Sequence, residues 1–396
     1  MMNKKVVLAY SGGVDTSCCI PYLIDKGYEV ICFTANLGFS KKSANSIYKR
    51  AKKLGASKVY IQDLVSLFIE EYIFPSLYAG ALYEDKYPLF TALSRPLIGK
   101  KLVEIAHQVE ARYVAHGCTG KGNDQVRIET TVSLLDPSLN IIAPLREWHF
   151  KSRNEEVGFL KKKGIYIKET KKHPYSIDTN IWGLSIECGP LEDIDKEAPE
   201  DSYFTVRRLK DTPSKPLDLE IEFKEARPIK LNSRRMEFKD IIKKLRYLGG
   251  LYGVGRIDMI ENRLVGIKSR EVYETPQSVI LHHCLRELEE LCLDRETLHF
   301  KRRWASYYAE LIYYGLWFTD LRVALDKFFS YFKRYLTGKI TLRLYKGNVQ
   351  VIKRESPYSL YKKSLATYGE ESNFQQEYAE GFIRLWSLPF IREFKR

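Results

Sequence analysis

A chain of 396 residues with 44% hydrophobic content is long enough for two cores, and 29% charged residues without any low-complexity tract exclude the disordered and fibrous classes. The longest uncharged apolar runs, such as Val6–Tyr10 and Gly315–Phe318, fall far short of the roughly 20 residues a bilayer span needs, so no membrane partner is expected. The net charge of +14 raises the expectation of anionic partners, whether nucleotides, nucleic acid or acidic substrates, without choosing among them.

In chain order, Lys4 and Lys5 precede only five apolar residues, too short a run for a secretory signal, so a cytoplasmic protein is expected. Residues 4–10 read as a strand, followed by a glycine turn, a helix from about Thr16 and a second strand over Glu29–Ala35. A helix near 40–54, a strand over Lys58–Gln62, a long helix near 91–111 and a strand over Tyr113–Ala115 continue the alternation. Such alternation predicts a mostly parallel sheet covered on both faces, with ligands beyond the carboxyl ends of its strands.

After about residue 170 the texture changes. Strands are predicted over Asp218–Phe223, Leu264–Ile267, Ile340–Leu344 and Asn348–Ile352, with amphipathic helices near 236–248, 276–293, 302–315 and 320–336. This is a second, α+β domain, and the proline-containing stretch 197–216 reads as a loop within it. The apolar stripe Trp304, Tyr307, Tyr308, Leu311 and Ile312 reads as core or subunit interface, and the aromatic tail beyond residue 360 as a segment that docks on a neighbour. Seven cysteines, an odd count without a C-x-x-C pair, read as reduced packing residues.

Two loops carry the chemistry. Ser11-Gly12-Gly13-Val14-Asp15-Thr16-Ser17 follows a strand and opens a helix, so adjacent glycines, hydroxyl donors and a helix N-terminus converge as an anion cradle. It lacks the G-x-x-x-x-G-K-[ST] spacing, which excludes the usual phosphoryl-transfer loop. The second loop, His116 to Arg127, sets three glycines beside Thr119, Lys121, Asn123, Asp124 and Arg127, a mixture of charges suited to a zwitterion next to a polyphosphate. His116 itself is expected to be a packed histidine without a catalytic role.

The first loop resembles the pyrophosphate-binding loop of N-type ATP pyrophosphatases, which split ATP between its α and β phosphates. The run Gly117-Cys118-Thr119-Gly120-Lys121-Gly122-Asn123-Asp124-Gln125-Val126-Arg127 narrows this: it closely resembles the argininosuccinate synthase family. So do Pro174-Tyr175-Ser176-Ile177-Asp178, Gly253 to Asp258, Glu261-Asn262-Arg263 and Tyr273-Glu274-Thr275-Pro276, in the same order along nearly the whole chain. The resemblance implies an α/β protein: an N-terminal parallel-sheet, Rossmann-like ATP pyrophosphatase domain (1–168), an α+β synthetase and oligomerisation domain (169–360), and a C-terminal oligomerisation arm (361–396).

It further implies a ligase that joins citrulline to aspartate with ATP as substrate and Mg²⁺, assembled as a homotetramer. By matching position, Ala9, Tyr10, Ser11, Gly12, Gly13, Val14, Asp15, Thr16, Ser17, Ala35 and Gly117 would contact ATP. Thr119, Asn123 and Asp124 would contact aspartate; Tyr87, Asn123, Arg127, Ser176, Ser185, Glu261 and Tyr273 would contact citrulline. Asp15 and Asp124 are the candidate catalytic carboxylates, with Asp124 read as positioning the attacking amine, and no protein-only metal site is expected.

The chain departs from the family pattern at Pro21, within the first helix, and at Phe39, Phe90 and Leu145. Phe90, where the family usually has Gly, is expected to project outward or against a neighbouring subunit. The competing readings are a tRNA-modifying ATP pyrophosphatase and a non-catalytic member of the fold. The whole-chain match and the intact phosphate loop speak against them, and nucleic acid is not expected as a partner.

Overall fold

Val6, Val7 and Leu8 are wholly buried at the centre of β1 (Lys4–Ala9), and their alternation explains why a sheet forms here with both faces covered. Val6 and Leu8 face one core with Cys18, Ile20 and Leu23, while Val7 faces a second with Ile31 and Phe33. The computed structural model describes residues 4–148, 150, 153–166 and 174–392.

From β1 the chain runs through α1 (Val14–Asp25), β2 (Tyr28–Asn36), α2 (Lys41–Lys53) and β3 (Lys58–Asp63). A continuous helical run follows, made of α3 (Val65–Phe68), a π-helical turn (Ile69–Ile73) and α4 (Phe74–Ala79). Then come α5 (Phe90–Gln108), β4 (Tyr113–His116), α6 (Asp124–Leu135), β5 (Asn140–Ile142), α7 (Pro144–Glu147) and α8 (Arg153–Lys162). Pro21 is accommodated inside α1, whose helix continues to Asp25.

The five strands form one parallel sheet in the order β3-β2-β1-β4-β5. Strand order reverses between β1 and β4, so the loops leaving their carboxyl ends diverge and a crevice opens between them. Both chemistry-bearing loops of the sequence leave the sheet at this point.

The second domain starts with β6 (Ser176–Asn180) and β7 (Gly183–Glu187), followed after the 197–216 loop by β8 (Leu217–Lys224), β9 (Arg227–Leu231) and β10 (Arg234–Arg235). Next are α9 (Phe238–Leu251), β11 (Arg256–Asn262), β12 (Lys268–Glu274), α10 (Pro276–Cys292), α11 (Arg295–Tyr313) and α12 (Asp320–Phe332). The hairpin β13 (Gly338–Tyr345) and β14 (Asn348–Glu355) precedes an arm with α13 (Lys363–Ala366) and α14 (Tyr378–Ser387). Two sheets result, β10-β9-β8-β13-β14 and β11-β12-β7-β6, with every pairing antiparallel. The expected α/β domain followed by an α+β domain is therefore the architecture found. The expected boundary at residues 168 and 169 lies outside the described residues.

Some expectations fail locally. The strand predicted over Leu264–Ile267 is the turn between β11 and β12: Gly266 sits at φ 87°, its N–H donates to the Arg263 carbonyl at 3.0 Å, and strands flank it on both sides. Apolar Leu264 and Val265 mimic strand composition, but the glycine's left-handed backbone reverses the chain. Helix α11 starts seven residues earlier than predicted, because the Asp294 carboxylate accepts from Thr297 N–H at 3.0 Å and caps it. The stripe on α11, expected as core or subunit interface, places Tyr308, Leu311 and Ile312 in the core and leaves Trp304 and Tyr307 partly exposed.

Candidate active site

The Ser11–Ser17 loop is shaped by its own hydroxyls and by a glycine that nothing else replaces. Ser11 Oγ accepts from Gly13 N–H at 3.2 Å and lies 3.0 Å from Thr16 Oγ1. Gly12 has φ 79°, and a Cβ there would come to 2.8 Å from Ile47 on α2, so both backbone and space demand glycine. The Gly12 carbonyl accepts from Arg50. No side chain caps the N-terminus of α1, which leaves its first N–H groups open to a ligand.

The second loop packs directly on the first. A Cβ on Gly117 would lie 2.8 Å from Thr16 Cγ2 and 3.3 Å from Cys19 Sγ, so the loops approach this closely only because residue 117 is glycine. The loop is then tied down by Gln125, whose Nε2 donates to the Gly120 and Gly122 carbonyls at 2.6 and 3.3 Å. His116 is buried, accepts from Cys118 N–H through Nδ1 at 3.2 Å and so donates through Nε2 to Glu129 at 2.8 Å, a packed histidine as expected.

Between these loops and the β6–β7 and β11–β12 hairpins lies a cleft of about 660 Å³. Its walls include Ala9, Tyr10, Ser11, Gly13, Val14, Asp15, Thr16, Ala35 and Gly117 at the end formed by the first loop. They also include Thr119, Asn123, Asp124, Tyr87, Arg127, Ser176, Ser185, Glu261 and Tyr273. Gly12 and Ser17 stand apart from the wall. Ser17 is fully buried behind the loop, with its Oγ 3.2 Å from the Tyr10 hydroxyl, so it braces Tyr10. Phe39 lines the cleft, whereas Leu145 packs on the outer core beside α1.

A relay of charge runs along one wall. Arg95 Nη2 bridges Asp178 at 2.5 Å and Asp124 at 2.7 Å, and the other Asp124 oxygen accepts from Arg127 Nη1 at 2.9 Å. Burial alone would raise the Asp124 pKa, but the two guanidinium groups outweigh it and hold the carboxyl below its ordinary value. Arg127 is buried, donates through Nε to the Tyr313 carbonyl at 2.8 Å and lies 4.6 Å from the centre of that ring. Its Nη2 has no protein partner among the described residues, nor has Thr91 Oγ1 nearby on the same wall.

The opposite charge is Glu261. It is buried and accepts from the hydroxyls of Tyr273 and Tyr313, yet desolvation still raises its pKa above the ordinary carboxylate value. Nearby, Arg263 Nη2 joins Glu187 at 2.5 Å and Glu271 at 2.7 Å; burial, with the charges of Glu187 and Glu261, pushes Glu271 up to about 8. The arrangement thus offers an anion cradle, a buried cation and a buried anion in one cleft, which suits a polyphosphate beside an amino acid.

Sequence reasoning did not pick out Arg95, Thr91, Asp178, Arg263 or Tyr313 as site residues. Asp178 and Arg263 stand inside motifs that carry the family resemblance, and that is the available signal for them; Thr91, Arg95 and Tyr313 lie outside those motifs and outside the apolar stripe on α11.

Comparison with known proteins gives two family matches: "Arginosuccinate synthase N-terminal HUP domain" over residues 5–166 and "Arginosuccinate synthase C-terminal domain" over 175–392. A curated argininosuccinate synthase from Carboxydothermus hydrogenoformans is 51% identical, covering 98% of this chain and 97% of the relative. One from Aquifex aeolicus is 49% identical with the same coverage. Among solved structures, a 4-thiouridine synthetase–RNA complex with bound ATP matches 41% of each chain at 20% identity and a TM-score of 0.32, a likeness too slight to bear on function.

Proposed function

The chain belongs to the argininosuccinate synthase family of ATP-dependent ligases, and from that premise we propose how its cleft divides the work between ATP, citrulline and aspartate. The citrulline ureido oxygen attacks the α-phosphorus of ATP, pyrophosphate leaves, and citrullyl-AMP forms. The aspartate amine, after losing a proton, attacks the ureido carbon; AMP departs with the oxygen, and argininosuccinate remains. Adenylylation turns a poor leaving group into a good one, and holding the partners together removes much of the entropic barrier.

The observation that carries this division is the pairing of Arg127 and Glu261, a buried cation and a buried anion both held by Tyr313, in the cleft that the phosphate loop closes. Arg127 takes the citrulline carboxylate with its unpartnered Nη2, joined by Thr91; Glu261 takes the ammonium; Tyr87, Asn123, Ser176, Ser185 and Tyr273 supply neutral contacts. The open N-terminus of α1, with Ala9–Thr16, Ala35 and Gly117, holds ATP, and Asp15 stands at the phosphates. Thr119, Asn123 and Asp124 hold aspartate. With its carboxyl engaged by Arg95 and Arg127, Asp124 orients the amine and leaves its proton to another acceptor.

No group of three His, Cys, Asp or Glu side chains that could cage a metal occurs among the described residues, and the phosphate loop offers the single carboxylate Asp15. This fits Mg²⁺ carried by the triphosphate and its waters, with Asp15 as the protein's contribution. The ion would neutralise charge on the departing pyrophosphate. The cytoplasm is the proposed compartment, in keeping with seven cysteines that are all free thiols.

The C-terminal arm supports the homotetramer. Phe382, Leu385, Trp386 and Phe390 are each more than half exposed in the single chain, an apolar surface that a second copy would cover. Light scattering on the full chain and on a form ending at residue 360 tests this: loss of the tetramer on truncation is expected, and a monomeric full chain would contradict it.

For the reaction, AMP and pyrophosphate release that requires citrulline is the expected result. Release of ADP and phosphate would overturn the proposal.

A further inference from the structure

Tyr313 closes the last turn of α11, is completely buried and forms no part of the cleft wall, yet it touches three residues that do. Its hydroxyl donates to Glu261 and accepts from Asn123 Nδ2 at 2.7 Å. Its carbonyl accepts from Arg127 Nε at 2.8 Å, and the Arg127 guanidinium lies over its ring. We propose that Tyr313 is a positioning residue for both amino-acid substrates, setting Glu261, Asn123 and Arg127 in one fixed arrangement. The proposal rests on the assignment of those three residues to citrulline and aspartate.

The directions of the hydrogen bonds leave little freedom. Asn123 Oδ1 accepts from Leu264 N–H at 2.8 Å, so its amide nitrogen must face the tyrosine. That nitrogen donates to the Tyr313 oxygen, and the phenolic proton is therefore directed to Glu261, which as a carboxylate only accepts. Asn123, with two of its hydrogen-bonding sites occupied, keeps one N–H and one lone pair for substrate.

The ring itself is clamped. It stacks on Tyr83 with centroids 3.6 Å apart and planes 5° from parallel, and the Tyr83 hydroxyl donates to the Asn262 carbonyl at 2.8 Å, beside Glu261. A displacement of Glu261 thus meets both the tyrosine pair and the loop that begins α6. The ammonium-binding carboxylate in the second domain and the aspartate loop in the first are held by one hydroxyl.

The test compares Tyr313→Phe with Tyr308→Phe. Tyr308 lies on the same helix, is equally buried and loses a hydrogen bond to Asp326, away from the cleft. KM for each substrate, kcat and the thermal midpoint are measured for both. Tyr313→Phe is expected to raise KM for citrulline and aspartate about 10- to 100-fold, the scale of a hydrogen bond to a charged group, with KM for ATP within about two-fold of wild type. Tyr308→Phe is expected to lower the thermal midpoint without moving any KM.

In a Glu261→Gln background, Tyr313→Phe should add little to the citrulline defect while still raising KM for aspartate. Unchanged citrulline and aspartate KM in Tyr313→Phe, or a uniform change in all three KM values, would overturn the proposal while leaving the ligase reading intact. A wild-type enzyme that cleaves ATP without citrulline would overturn both.

Discussion

Phe90 fills the space that Gly183 leaves empty: a Cβ built on Gly183 would come to 2.4 Å from the Phe90 ring. The ring is fully buried and meets Tyr87 and Tyr273 edge to face, with centroids 5.3 and 5.5 Å away. Asn180 Nδ2 donates to its carbonyl at 2.8 Å. The expectation that this side chain projects outward or against a neighbouring subunit is therefore wrong. It points inward, but behind the two tyrosines, and takes no place on the cleft wall.

Phe90→Gly should consequently loosen Tyr87 and Tyr273 rather than enlarge the proposed citrulline site. A stability loss of about 3–5 kcal/mol, typical of removing a buried aromatic ring, and a higher citrulline KM are expected. Gly183→Ala should cost about 1–3 kcal/mol by overpacking, with part of it recovered in a Phe90→Leu background. Urea unfolding and citrulline titration of the three variants check this; tighter citrulline use by Phe90→Gly would contradict it.

Asp124 is held between two guanidinium groups and stays ionised well into the acid range, so it contributes no titration near neutral pH. Asp124→Asn is expected to raise KM for aspartate by roughly 10-fold or more, the scale of a charge-assisted bond, and to leave the shape of the kcat–pH profile between pH 6 and 9 unchanged. Disappearance of a limb in that profile would assign Asp124 the role of base.

Gly117→Ala places a methyl group 2.8 Å from Thr16 Cγ2 and forces the two loops apart. KM for ATP should rise together with that for aspartate, because the displaced segment carries Thr119, Asn123 and Asp124. A variant with normal kinetics for both substrates would show that the loops are not coupled by this contact.

Stability should fall on acidification through His282. Burial, with Arg286 and Lys301 nearby, pushes its pKa down to about 4, while Nδ1–H donates to the Ser278 carbonyl at 2.9 Å. Between its unfolded value near 6.5 and the folded value, the unfolded chain binds the extra proton. The contribution is thus complete above about pH 6.5 and is lost as pH drops to about 4, a change on the order of 3 kcal/mol. Urea midpoints measured across this range should decline less steeply in His282→Gln than in wild type. Parallel slopes would remove His282 from the acid sensitivity.

Much of the site was legible because its signals are local. A strand followed at once by Ser11-Gly12-Gly13 specifies a turn that only glycine permits and an uncapped helix start, and both follow from the order of residues along the chain. The second loop was legible for the same reason: its glycines and charged residues lie within twelve positions. Composition and periodicity likewise determined the change from a parallel α/β domain to an α+β domain, while the antiparallel pairing of the latter's strands is seen only in the fold.

Tertiary structure decided whatever depends on residues far apart in the chain. Tyr313 reaches Arg127 across 186 positions and Asn123 across 190, and Arg95 bridges Asp124 and Asp178 from three separate segments. No periodicity encodes such contacts. Phe90 is the sharpest case, since an added aromatic ring reads as an obstruction until Gly183 is seen to lack the Cβ that would collide with it. The direction of a side chain is set by which neighbour leaves room, and that neighbour lies on a strand 93 residues away. Sequence specifies backbone geometry through each residue's own torsional limits, whereas occupancy of space is settled only by close packing of the folded chain.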